Sequence, residues 1–370
     1  MKIVHLAKMT GVSGMEKHLL SLLPGLRAHG IDASLLVLTE RNRPMDTYLA
    51  SMRQLGVPAE SIMIGADIDP GLIGRLARRF RESRYDAVHT HLIHADLYGI
   101  LAAKRAGIRR IFMTGHNDDR FRRRWPVRLL QGWLWRQVAG GIAISRALRD
   151  FVIRYEFAPP ERVHVVHYGY DPRPDPNESQ ARDALCRELN LTPQAPIVGS
   201  MCRLIEQKGL THAIRAFWQI AEQVQGAHYI IVGDGPLRAM LEQQVEGFQL
   251  KKRVHFLGWR DDAAALLPAF DALLMPSLWE GFGIVALEAM AARVPVIASR
   301  VSALPEIVEN GVTGFLTEPA NASALAECLL DVLNNPALAR EMGENGRRRL
   351  EAEFGVQRMV DGTLKVYQSA

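Results

Sequence analysis

Two carboxylates, Glu280 and Glu288, stand eight residues apart on either side of a Gly281-Phe282-Gly283 turn, in the stretch SLWEGFGIVALEAMAA from Ser277 to Ala292. Glu288 is the lone charge in the apolar run GIVALEAMAA. An ionised carboxylate is costly to bury without a hydrogen-bonding partner, so a residue of this type in that company needs something to hold. Glycines let a ligand approach the backbone, and the free amides of a helix opening at Ile284 favour an anion. At about 1.5 Å rise per residue, Glu288 falls roughly 7–8 Å along the axis from Gly283, and its side chain leans back toward the N-terminus. That span fits a diphosphate on the turn and a ribose on Glu288. Glu280, outside the helix, would reach hydroxyls on the other side of the diphosphate, where a sugar would sit. The plainer alternative is a buried glutamate satisfied by an arginine or by backbone groups.

Further groups of the right chemistry follow other apolar runs. Arg203 and Lys208 come just after PIVGSMC, and two cations there would offset the charge of a departing nucleoside diphosphate. Alone, the pair also reads as a solvated basic loop. The first loop, GVSGMEKH, offers Gly11 and Gly14 for close approach to a phosphate or an acceptor; it is not a G-x-G-x-x-G fingerprint and gives no support to a dinucleotide site. VHTHLIH puts His89 and His91 on one strand face with His94 beyond, but no carboxylate or cysteine completes a metal set, so no metal is expected. DDRFRRRWPVRLLQGWLWRQ interleaves tryptophans with arginines, five of them from Arg120 to Arg128 and another at Arg136. That mixture suits an anionic membrane surface; its alternative is a core-packing amphipathic helix behind a solvated basic loop.

These residues share one position in the pattern, at the ends of short apolar runs. KIVHLA, ASLLVL, DAVHTH, RIFMTGH and GIAIS read as strands in the first half, each followed by a helix-like stretch. PIVGSMC, HYIIVGDG, RVHFLG, DALLMPS and VPVIAS repeat the rhythm in the second. Alternating strands and helices argue for parallel sheets covered on both faces, whose ligands bind beyond the carboxyl ends of the strands. The Pro-rich, acidic stretch over 171–195 reads as a linker. The expectation is therefore α/β: two doubly wound domains facing across a cleft, residues 1–170 with a last helix near 355–370, and residues 171–354.

The spacing E-x7-E in EGFGIVALE resembles the signature of family 4 retaining glycosyltransferases, whose fold is GT-B. Four more segments are similar to that family in the same order: GVSGMEKH, GSMCRLIEQKGL, IVGDGP and LPEIVENGVTGFL. The resemblance spans essentially the whole chain. It implies a C-terminal domain that binds a nucleoside-diphosphate sugar and an N-terminal domain that binds the acceptor. In that scheme Arg203 and Lys208 clamp the diphosphate, Glu280 fixes the sugar and Glu288 holds the ribose. Gly14, Gly233, Gly235, Gly281, Phe282, Gly283 and Ile284 line the donor, and His116, in FMTGHND, orients the sugar. Protein cations would take the place of a metal, and no cofactor is implied. The sequence departs from the family where Ser13 replaces one of two adjacent glycines, and where Tyr168-Gly169-Tyr170 replaces a commoner Asn-Gly-Val.

Bulk properties fit a two-domain enzyme. A chain of 370 residues, 48% hydrophobic, can bury two cores. Its 3 cysteines (Cys186, Cys202, Cys328) lack metal-ligand spacing and are too few for a disulfide framework, which points to a reducing, cytoplasmic setting. Residues 1–185 hold 28 Lys+Arg against 19 Asp+Glu, and the remainder 17 against 21, so the halves carry +9 and −4 within a net +5. A basic first half suits an anionic partner. No nucleic-acid motif is present, which leaves a membrane surface; the acceptor expected is a glycan or a lipid-linked glycan, the latter if the chain sits on the inner face of a membrane, in cell-envelope glycan, polysaccharide or glycolipid biosynthesis. The rival functions are a nucleotide-sugar epimerase on the same fold and a sugar-nucleotide-binding scaffold without turnover.

Overall fold

The computed structural model describes residues 1–65, 69–172 and 178–369. They form two compact units, Met1–Gly169 with Gly355–Ala370, and Tyr170–Phe354.

The first unit is built on β1 (Lys2–Lys8), β2 (Asp32–Glu40), β3 (Ala59–Ile64), β4 (Ala87–His91), β5 (Arg110–Gly115), β6 (Gly140–Ala143) and β7 (Val163–Val165). Their order is β3-β2-β1-β4-β5-β6-β7, every pair parallel. All five residues of β4 are buried, as a central parallel strand covered on both faces must be. The helix Val356–Gln368 returns to this unit and packs on the helix Gly14–Ala28. Only glycine fits at Gly25 beneath it, since a Cβ there would lie 2.5 Å from Val360.

The second unit holds β8 (Ile197–Met201), β9 (His228–Val232), β10 (Val254–Gly258), β11 (Ala272–Met275), β12 (Val296–Ser299) and β13 (Gly314–Thr317), in the parallel order β10-β9-β8-β11-β12-β13. The strand runs named from the sequence all become strands. β3, β7 and β13 were not among them; AESIMI, VHV and GFLT are short, and β3 shows no continuous apolar run. The segment read as a linker contains the helix Glu178–Leu189, which packs on the turn Ala263–Ala269; its Pro-rich residues 173–177 lie outside the described residues.

Strand order reverses direction between β1 and β4 in one unit, and between β8 and β11 in the other. Loops at such points diverge and leave a crevice at the carboxyl edge. The loops after β8 and β11 carry Arg203 and Lys208, and Glu280.

Candidate functional site

In the second unit three glycines set the geometry. Gly209 has φ +60, and a Cβ there would sit 2.1 Å from the Pro276 carbonyl oxygen, so only glycine lets the turn Glu206–Lys208 press against the loop after β11. The Leu278 amide donates to the Gln207 carbonyl at 2.8 Å and closes that contact. Gly233 (φ +128) and Gly235 do the same for the loop after β9: a Cβ on either would meet the Cys202 or the Leu204 carbonyl oxygen, at 2.0 and 2.6 Å. The two loops then bond through the Cys202 amide to Val232 O, Leu204 amide to Asp234 O and Leu237 amide to Leu204 O. Gly233 and Gly235 thus hold the backbone on either side of Arg203.

The outcome is a charged pair that the sequence reading had kept apart. The Lys208 ammonium donates to Glu280 Oε2 at 2.5 Å, with side chains 20% and 9% exposed. Burial works to lower the Lys208 pKa, but the Glu280 carboxylate outweighs it and the pKa is raised. Ser277 Oγ donates to the same oxygen at 3.2 Å, and the Glu280 amide donates to Ser302 Oγ at 3.1 Å. Arg203 is exposed a few residues away.

Gly283 caps the helix Ile284–Ala291 with φ 98, and a Cβ there would lie 2.8 Å from Leu304. Phe282 is 2% exposed and wedges the turn, its ring meeting Phe354 edge-on at 6.3 Å. Glu288 is 5% exposed on that helix. The second unit thus collects Glu280, Lys208, Arg203, the Gly281–Gly283 turn and the start of the Glu288 helix at one carboxyl edge.

In the first unit the Ser13 position explains itself. Its amide and its hydroxyl both donate to Glu16 Oε2, at 2.9 and 2.7 Å, closing the start of the helix Gly14–Ala28. An amide used in that way is not available to a ligand, whereas Gly14, with open space around it, begins the helix.

His116 is 7% exposed, and both its ring nitrogens are engaged: Nδ1 with the Tyr168 hydroxyl at 2.5 Å, Nε2 with His91 Nδ1 at 2.8 Å. Tyr168, the departure from Asn-Gly-Val, is thereby tied to His116, which no spacing in the sequence could reveal. The histidine run also gains a member. In-register pairing of β1 and β4 puts His5 beside His89, and His5, His89 and His91 offer ring nitrogens within 4.8 Å of one another. The sequence reading found nothing to complete a metal set because the third imidazole lies 84 residues upstream of His89. Those nitrogens already bond to one another and to Tyr367, at 2.6 to 3.2 Å. Burial first, and neighbouring imidazoles after it, hold the pKa values of His5, His89 and His116 well below the usual histidine value.

The basic stretch divides in two. Arg122 is buried, its Nε 2.5 Å from Glu156 Oε1, so it is a core ion pair and not part of a basic surface. On the helix Trp125–Trp135, Leu134 and Trp135 are fully buried, as the packing-helix alternative required. Yet Phe121, Trp125, Leu129 and Trp133, spaced by four, are 41%, 71%, 55% and 42% exposed. Trp125, Leu129 and Trp133 form one apolar stripe, since residues four apart share a helix face; Phe121 lies on the separate turn Arg120–Arg123 before the helix, and Arg120, Arg123, Arg124 and Arg136 are also exposed in this segment. Among the described residues no helix is long and apolar enough to cross a membrane.

The chain matches two family models, glycosyltransferase family 4 over residues 12–173 and glycosyl transferases group 1 over residues 182–349. It is 31% identical over 312 residues to alpha-maltose-1-phosphate synthase of Mycolicibacterium smegmatis, covering 76% of this chain and 78% of that one. It is 27% identical over 380 residues to the Escherichia coli UDP-Gal:alpha-D-GlcNAc-diphosphoundecaprenol alpha-1,3-galactosyltransferase, covering 99% and 96%. The crystal structure of Anabaena HepE in complex with UDP and glucose superposes with a TM-score of 0.87 over the full length of both chains, at 24% identity, a likeness of fold.

Proposed function

The chain belongs to glycosyltransferase family 4 and has its GT-B fold, and on that premise we propose that it is a retaining transferase that moves a hexose from UDP to a hydroxyl of a lipid-linked glycan. The observation that carries the donor assignment is the Lys208–Glu280 pair at the carboxyl edge of the second unit, beside the turn that opens the Glu288 helix. A diphosphate entering there competes for the Lys208 ammonium and meets the amides of the Gly281–Gly283 turn. Glu280, released from Lys208, then accepts from sugar hydroxyls while Glu288 accepts from the ribose. As the glycosidic bond breaks, charge grows on the diphosphate, and Lys208 and Arg203 stabilise it where it develops. The diphosphate oxygen takes the acceptor's proton on the face that it leaves, so configuration is retained. His116, both of whose ring nitrogens are engaged by Tyr168 and His91, acts as a positioning residue that presents the Tyr168 hydroxyl to sugar hydroxyls at the carboxyl edge of the first unit, and no metal takes part.

Donor binding is tested by calorimetry with UDP. Glu288→Ala should weaken UDP affinity by about 10–100-fold, the worth of hydrogen bonds to a charged acceptor, and EDTA should leave binding to the unaltered protein as it was. Unchanged affinity in the variant would remove Glu288 from the nucleotide site, and loss of binding in EDTA would remove the metal-free reading.

The lipid-linked acceptor rests on the relative that acts on a diphosphoundecaprenol-linked sugar, and on the exposed stripe Trp125–Leu129–Trp133. Aromatic and aliphatic side chains rimmed by arginines suit the headgroup region of an anionic bilayer. Replacing Trp125, Leu129 and Trp133 together by serine should cut binding to phosphatidylglycerol-containing vesicles roughly tenfold or more, each large apolar side chain contributing about 1.5–3 kcal/mol when buried. Equal binding by the triple variant would leave the stripe without a membrane role.

A further inference from the structure

The first unit contains a hydrogen-bonded chain that the scheme above uses only at its outer end. From the carboxyl edge inward it runs Tyr168 Oη to His116 Nδ1 (2.5 Å), His116 Nε2 to His91 Nδ1 (2.8 Å), and His91 Nε2 to His5 Nδ1 (2.9 Å). It continues from His5 Nε2 to Tyr367 Oη (3.2 Å), Tyr367 Oη to His89 Nδ1 (2.6 Å), and His89 Nε2 to Thr114 Oγ1 (2.7 Å). His5, His89 and His91 are fully buried, Thr114, Tyr168 and Tyr367 are 2–3% exposed, and His116 is 7% exposed. Strand register builds it: His5 pairs with His89, and His91 with Thr114, so all four lie side by side on one sheet face. The helix Val356–Gln368 lowers Tyr367 onto that face, which gives this C-terminal helix a place in the first unit beyond apolar packing.

Every imidazole in the chain uses both of its nitrogens within it. A neutral imidazole has one N–H to donate and one lone pair to accept with, and burial in mutual contact keeps these rings neutral. Donation must therefore run one way throughout. Either Tyr168 donates inward and all four histidines carry the proton on Nε2, or Thr114 donates outward and all four carry it on Nδ1. Between two rings, any mixture sets two N–H groups or two lone pairs face to face; at Tyr367, whose oxygen can accept from both His5 and His89, a mixture instead strands the buried hydroxyl proton or leaves one ring nitrogen without a donor, and a buried unsatisfied group is expensive. Direction at the inner end thus fixes direction at the outer end. When the chain runs inward, the Tyr168 proton is committed to His116 and its oxygen can only accept from beyond; when it runs outward, Tyr168 keeps an O–H to donate.

We propose that His91, His5, Tyr367 and His89 are positioning residues that lock His116 and Tyr168 into one tautomeric polarity, and so decide whether the carboxyl edge of the first unit offers a sugar hydroxyl a donor or an acceptor. The part concerning the sugar rests on the assignment of His116 made above; the lock itself does not.

The test is nitrogen-15 NMR of the full-length protein labelled at histidine, reading the tautomer of each ring from its long-range proton–nitrogen correlations. The expected result is one tautomer shared by His5, His89, His91 and His116. Mixed tautomers among the four overturn the lock, and this reading needs no variant. Tyr367→Phe removes the hydroxyl that joins His5 to His89 and keeps the ring. It should alter the tautomer populations of His116, three bonds along the chain, and lower kcat roughly fivefold, the equivalent of one ordinary hydrogen bond, with the UDP-sugar KM unchanged. His116 spectra and kcat unchanged in a folded Tyr367→Phe protein would refute the coupling. A shared tautomer together with full turnover by His116→Ala would leave the lock standing and remove His116 from the reaction, so the two readings fail separately.

Discussion

Lys208→Ala should lower turnover by about 10²–10³-fold while the protein still binds nucleotide, because the lost cation acts where charge develops on the departing diphosphate. The geometry makes the effect a double one. Lys208 is the cation that Glu280 faces at 2.5 Å, and Glu280 is 8% exposed. Removing the ammonium leaves a nearly buried carboxylate that, among the described residues, keeps the Ser277 hydroxyl at 3.2 Å. Without the ammonium to hold it, that carboxylate is poorly placed to accept from sugar hydroxyls. Lys251→Ala, which removes the same charge from a side chain 64% exposed on the same unit, is the control and should leave kcat unchanged. Equal losses in the two variants would refute the clamp. A Lys208→Ala,Glu280→Gln double variant separates the two contributions. If Lys208 acted only by holding Glu280 in place, the double variant would be no worse than Glu280→Gln alone; the mechanism above expects it to be worse, because the diphosphate still lacks its cation.

Arg122→Gln should destabilise the first unit by about 3–5 kcal/mol, the cost of leaving one partner of a buried ion pair unpaired. Glu156 has no exposure; after the change it keeps, among the described residues, the Trp135 indole N–H at 3.0 Å. Burial pushes the nearby Asp96 carboxyl up to about 7, and Arg122 opposes that rise, so its loss disfavours a second buried carboxylate. Against a total stability of roughly 5–15 kcal/mol, the variant should melt well below the parent or unfold at ordinary temperature. Arg124→Gln, on an exposed side chain two residues on, should leave the unfolding free energy within about 0.5 kcal/mol of the parent. Similar midpoints for both variants in chemical denaturation would contradict the burial assigned to Arg122. The comparison matters for membrane binding too: vesicle affinity lost on neutralising Arg122 reports unfolding, whereas loss on changing Trp125, Leu129 and Trp133 reports the surface.

Much of the local geometry of the candidate site is legible in the sequence. Glu280 and Glu288, the glycine turn between them and the two cations after β8 share a helix start or a strand end, and such local geometry follows from spacing. Gly233 and Gly235 were identified, but as ligand contacts; their closest neighbours are the carbonyls of Cys202 and Leu204, a fact about which loops lie side by side. The arginine run shows the same limit. Its residue types were right for a membrane surface, yet one of the five is a core ion pair, and only the i, i+4 stripe of exposed side chains distinguishes surface from core.

The sequence by itself determined the alternation of strands and helices, the parallel sheets and the family, because hydrophobic period and motif order are local and survive without knowing what touches what. The tertiary structure alone decided the pairings: Lys208 with Glu280 across 72 residues, Arg122 with Glu156 across 34, and His5 with His91 across 86. These depend on strand order and register, which bring distant segments to one sheet edge and which no window along the chain contains.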